Sequence, residues 1–83
     1  MTKGTLNEES DLNNLSPGFY SYYVEAGIPK NMPDDQIQRG YIIAFPTVLG
    51  STSQIVFEWG WSTVYARVLN NNISWTAWLK LSN

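Results

Sequence analysis

The chain has 83 residues, 43% of them hydrophobic and 14% aromatic, a formal net charge of −2, and neither cysteine nor histidine. A chain of that length makes one domain, and it buries only about 60% of the surface its unfolded form exposes. The composition excludes disulfides and thiolate or imidazole metal sites, and the scattered basic residues Lys3, Lys30, Arg39, Arg67 and Lys80 give no footprint for nucleic acid.

Residues 1–10 are polar and carry Glu8 and Glu9. They are expected to form a flexible lead or a connection to a preceding domain, ahead of a single β-rich domain over 11–83. Met1-Thr-Lys-Gly-Thr5 has no apolar signal core, and no apolar run approaches the ~20 residues that span a bilayer, so membrane insertion is not expected. Work outside the cell then requires carriage by a larger assembly or a longer polypeptide. Ser10 or Asp11 is placed to cap one helical turn that holds Leu12 and Leu15 on one side; the alternative is a loop pinned by those two leucines. Pro17-Gly18 turns the chain.

Gly18 to Val24 reads as a strand with rings on both faces: Phe19, Ser21 and Tyr23 on one, Tyr20, Tyr22 and Val24 on the other. Residues 26–39 hold two prolines, a glycine and the pair Asp34-Asp35, and are expected to be a loop. Gly40 to Pro46 is the next strand, closed by its proline. Gln54 to Trp59 alternates Ile55, Phe57 and Trp59 against Gln54, Val56 and Glu58. Gly60-Trp61-Ser62 makes a tight connection to Thr63–Val68, which alternates Val64, Ala66 and Val68 against Tyr65 and Arg67. Asn70-Asn71-Asn72 is a turn tract, and Ser74 to Leu81 is the last strand, with Trp75 and Trp78 in it. The expected fold is mainly β: a small antiparallel sheet or meander with one short helical turn near the N-terminus.

Aromatic rings and amides on a small sheet suit recognition, above all of sugars. Trp75 and Trp78 are assigned to the core, because a small domain without staples relies on large side chains, and Arg67 is placed to stack on one of them. Trp59 and Trp61 flank Gly60, and strand alternation does not turn both into one core. One of them therefore marks a contact with a ligand, a neighbouring protomer or an adjoining domain. Tyr22 carries the same ambiguity. Asn71 offers amide hydrogen bonds to sugar hydroxyls, although a plain turn explains it better. Asp34 contributes a carboxylate; Asp34 and Asp35 together fall short of a Ca²⁺ cage, so no metal and no cofactor is expected. Catalysis is not expected either: there is no histidine base, and the few carboxylates are not arranged to flank a glycosidic bond. The expected ligand residues are Trp61, Trp59, Tyr22, Asn71 and Asp34.

The segments Asp11-Leu-Asn-Asn-Leu15, Pro17-Gly-Phe-Tyr20, Asn31-Met-Pro33, Gly40-Tyr-Ile-Ile43, Gln54-Ile55, Val64-Tyr-Ala-Arg67 and Trp75-Thr-Ala-Trp78 follow one another in that order. In this order they resemble the pyocin-knob type of domain found near the ends of phage and tailocin tail fibres and minor tail proteins. The likeness runs from about residue 5 to the end. It departs from the pattern at the charged stretch Asp34 to Arg39 and at Trp61. The resemblance implies a compact β domain of the virion tail, a receptor-binding role toward bacterial-surface carbohydrate, neighbouring tail-fibre domains as partners, and association as a homotrimer. Two other readings stay open: a structural connector or cap without receptor contact, and a carbohydrate-binding appendage of a cell-wall lytic enzyme.

Overall fold

The structure is a computed structural model that describes residues 2–33, 37–58, 63–70 and 74–81. Seven strands form one sheet: β1 Thr2–Thr5, β2 Gly18–Tyr23, β3 Arg39–Ala44, β4 Thr52–Glu58, β5 Val64–Asn70, β6 Ser74–Trp75 and β7 Leu79–Lys80. They lie in the order β1-β2-β3-β4-β5-β6, with β7 also pairing β5. From β2 onward every pairing is antiparallel, and β1 runs parallel to β2. The expected mainly β architecture is the one observed.

The expected helical turn is a 3-10 turn over Leu12–Asn14. Asp11 caps it, its carboxylate accepting from the Asn13 amide at 2.9 Å. Leu12 is fully buried and Leu15 packs against the core. A second 3-10 turn, Val24–Ala26, takes the residue expected to end β2.

Two expectations change. The lead over 1–10 belongs to the domain, because the open edge of β2 offers backbone partners. Thr2 and Thr5 stand opposite Phe19 and Ser21, and the Leu6 amide donates to the Ser21 carbonyl at 2.9 Å. Leu6, at 5% exposure, then enters the core. The last strand is broken in two. Between its halves the Thr76 hydroxyl accepts from the Val68 amide at 3.0 Å, while the Thr76 amide donates to the Val68 carbonyl at 2.8 Å. A side chain takes the place of a ladder carbonyl there.

Residues 6–15 and 24–33 cover one face of the sheet. The Leu12 amide donates to the Lys30 carbonyl and the Lys30 amide to the Ser10 carbonyl, which ties the two segments together. Leu6 and Leu12 from this irregular layer, with Ile37 from just before β3, meet Tyr20, Tyr22, Ile42, Val56 and Tyr65 of the sheet to make the core. Gly40 permits the β3–β4 approach: a Cβ there would lie 2.0 Å from the Phe57 carbonyl oxygen.

The opposite face has no described element over it. Cross-strand register lays out its rows: Phe19, Ile43, Ile55 and Ala66 in one, Ser21, Tyr41, Phe57 and Val64 in the next. Along β4 and β5 the sides are chosen against simple hydropathy. Gln54, Val56, Tyr65 and Arg67 are buried, whereas Phe57 and Val68 are exposed.

Candidate functional site

The inward polar residues of β4 and β5 satisfy one another. Arg67, 6% exposed, donates from Nε and Nη2 to Gln54 Oε1 at 3.0 and 2.9 Å. Gln54, 2% exposed, donates from Nε2 to the Leu12 carbonyl. A buried polar pair of this kind is tolerated because each partner is hydrogen-bonded. The guanidinium carbon lies 4.0 Å from the Trp75 ring centroid and 4.6 Å from that of Trp78. Arg67 therefore stacks on both rings, one more than expected, and both tryptophans are half-buried. Burial lowers the Arg67 pKa to about 10, with the Asp11 charge opposing, which leaves the side chain a cation at neutral pH.

A second set of bonds fixes the other end of the same cluster. Trp78 Nε1 donates to the Asn31 carbonyl at 2.9 Å, and Asn31 Nδ2 donates to Asp11 Oδ1 at 2.7 Å. Asn31 has a φ of 67°, a left-handed conformation that asparagine adopts more readily than most residues. The Asn13 amide, foremost, and the Asn31 side chain hold the Asp11 carboxyl below its ordinary pKa; Lys30 and Arg67 assist and burial opposes. The C-terminal strands are thus latched to the N-terminal turn.

Beside this latch lies a cleft of about 120 Å³, lined by Asn13, Leu15, Pro17, Thr47, Gln54 and Trp75 among others. The β3–β4 connection brings Thr47 to it, the capped turn brings Asn13, and the short pairing of Trp75 with Leu69 brings the indole. One face of that indole is occupied by Arg67. The Asn13 side-chain amide, the Thr47 hydroxyl and Trp75 Nε1–H make no hydrogen bond with a described residue. The cleft therefore combines an aromatic surface with donors and acceptors that no described residue engages, at the size of part of one sugar ring. No cluster of three or more carboxylates able to hold a metal ion occurs among the described residues.

Of the residues expected to bind ligand, Trp59, Trp61, Asn71 and Asp34 lie outside the described residues. Tyr22 is a correction. It stands opposite Gly40, is 2% exposed, and presents no ring to solvent. Its hydroxyl is buried without a hydrogen-bond partner among the described residues, and burial, with the Glu25 charge adding, raises its pKa above that of an ordinary phenol. Phe19, Tyr23, Tyr41 and Phe57 are the exposed strand rings instead. Asn13 and Thr47 were not singled out from sequence. The signal for Asn13 was its place in the capped turn; Thr47 carried none.

The chain matches no protein-family model, no curated protein and no solved structure.

Proposed function

We propose that this chain is a non-catalytic recognition domain of a phage tail fibre or related tail protein, and that it contacts bacterial cell-surface carbohydrate while carried on the virion tail. The observation that supports this reading best is the cleft at Trp75, where an indole held by Arg67 borders amide, hydroxyl and N–H groups that have no hydrogen-bond partner among the described residues. A pyranose offers an apolar face to such a ring and hydroxyls to such donors and acceptors. A site already held in place by the Gln54–Arg67 bonds loses little freedom on binding, which favours affinity. Single-site binding is weak in this scheme, and display of several copies raises avidity by about 10²–10⁴. Trp59, Trp61, Asn71 and Asp34 stay in the proposal as ligand contacts on their residue chemistry; Tyr22 does not.

An array of bacterial-surface glycans probed with the multimerised protein tests the reading. Binding that weakens in Asn13→Ala and Thr47→Ala, two exposed positions, is the expected result. Absence of signal from every glycan, by a protein shown to be folded, refutes it.

A second reading is a connector or cap within the tail protein. The uncovered apolar sheet face favours it, since that face suits a protein partner better than a sugar. Carbohydrate contact and assembly through that face are compatible, because the cleft and the face lie on different parts of the domain.

A further inference from the structure

We infer that the uncovered face of the sheet is an interface between copies of this chain. The inference rests on the sheet alone and stands or falls independently of carbohydrate binding. Phe19 is 51% exposed, Tyr41 54%, Phe57 38% and Val68 40%, and all four stand on one side of the sheet with Ile43 and Ile55 among them. The amide and the guanidinium of the paired strands β4 and β5, Gln54 and Arg67, are turned to the other side and buried. A domain that ended its packing at one sheet layer would gain by the reverse choice, with its aliphatic side inward. The observed choice follows if the aliphatic side is also covered, by something outside the chain.

Size and chemistry select the covering. At about 150–250 Å² per aromatic side chain, the exposed parts of these rings and their aliphatic neighbours amount to on the order of 500 Å². That is near the upper end of the largest patch usual on a monomer, about 300–600 Å². With its rim it approaches the ~800 Å² per partner of a standard protein interface. A shallow groove of about 470 Å³ runs along Phe19, Tyr41, Ile43 and Phe57. Among the described residues of this face there is no carboxylate; its cation and its amide, Arg39 at the start of β3 and Asn70 at the end of β5, stand at its ends, and the Ser21 hydroxyl is engaged with Thr5 at 2.9 Å. The apolar middle between those ends offers little to a sugar or to a charged partner, and it is complementary to the same middle on a second copy. Two such sheets stack face to face at about 10 Å, with side chains interleaved as in a sandwich.

Sedimentation velocity on the intact chain, across a concentration series, tests this. The expected result is a species of two or more copies of the 9.4 kDa chain, returned to one copy by Tyr41→Lys and, separately, by Phe19→Lys. Both positions are more than half exposed, so far-ultraviolet circular dichroism is expected to show the monomeric variants folded. A parent that stays monomeric at millimolar concentration overturns the inference. So does an oligomer that both lysine variants leave intact, or a monomeric parent that floats with phosphatidylglycerol vesicles.

Discussion

Gly40→Ala is the sharpest single test of how the sheet is built. Gly40 stands opposite Glu58 in the β3–β4 ladder, and its backbone has no positive φ, so conformational freedom is not the issue. Space is. An added Cβ would sit 2.0 Å from the Phe57 carbonyl oxygen, 3.1 Å from its carbonyl carbon and 3.3 Å from the Glu58 Cα. All three are backbone atoms, so no side chain can swing aside. Relief requires opening the β3–β4 pair by roughly 1 Å or more, which breaks neighbouring ladder bonds worth about 0.5–1.5 kcal/mol each. Overpacking adds about 1–3 kcal/mol. The expected loss is therefore about 3–5 kcal/mol, against a total stability of about 4–12 kcal/mol for a domain of this size. At about 4–8 °C per kcal/mol, Tm is expected to fall by at least roughly 12 °C in a circular-dichroism melt, or the variant fails to fold. Gly4→Ala is the control: its φ is 99° but nothing lies within 4 Å of the added Cβ, so it is expected to cost only about 1–2 kcal/mol. A Gly40→Ala protein melting within about 4 °C of the parent, the shift of a single kcal/mol, would refute the register and the closeness of the two strands.

Two of the buried phenols, Tyr20 and Tyr22, are expected to behave oppositely. Tyr20 donates to the Ser16 carbonyl at 2.6 Å, so Tyr20→Phe loses about 0.5–1.5 kcal/mol in urea denaturation. The Tyr22 hydroxyl is buried without a partner among the described residues, so Tyr22→Phe is expected to be neutral or stabilising in the same assay. Gln54→Leu strands both the Arg67 guanidinium and the Leu12 carbonyl, and a loss of about 3–5 kcal/mol is expected on the same scale. Asp11 gives a pH dependence. Its folded pKa lies below the ordinary aspartate value of 3.8, so its contribution is present above that value and is lost as pH falls through the folded pKa. Unfolding free energy followed downward from pH 5 is expected to fall less steeply in Asp11→Asn than in the parent.

The local rules of the sequence carried most of the architecture. Asp11 capping ahead of Leu12, the period-2 strands and the pairing of Arg67 with tryptophan all follow from contacts between near neighbours in chain or sheet. What was not legible depends on the third dimension. The alternation of β4 and β5 is the same whichever side is buried, and hydropathy alone favours burying Ile55 and Phe57. The structure buries Gln54 and Arg67 instead, because each satisfies the other and Leu12 supplies a carbonyl from 42 positions away. Tyr22 was misread for the same reason: ring-bearing strands give no sign of which ring faces the covering layer. β1 was missed because a polar tetrapeptide becomes a strand only where an existing edge offers it partners. The break in the last strand turned on one hydroxyl, that of Thr76, replacing a backbone acceptor.

The claim that recognition occurs beside Trp75 is tested most directly by its indole N–H signal in a ¹⁵N-labelled sample titrated with bacterial-surface oligosaccharides at millimolar concentration. Trp75 Nε1–H has no hydrogen-bond partner among the described residues, whereas Trp78 Nε1–H is engaged by Asn31. The account predicts a saturable shift of the Trp75 signal with that of Trp78 nearly still. A titration in which glycan binding moves other residues and leaves Trp75 unchanged would contradict it.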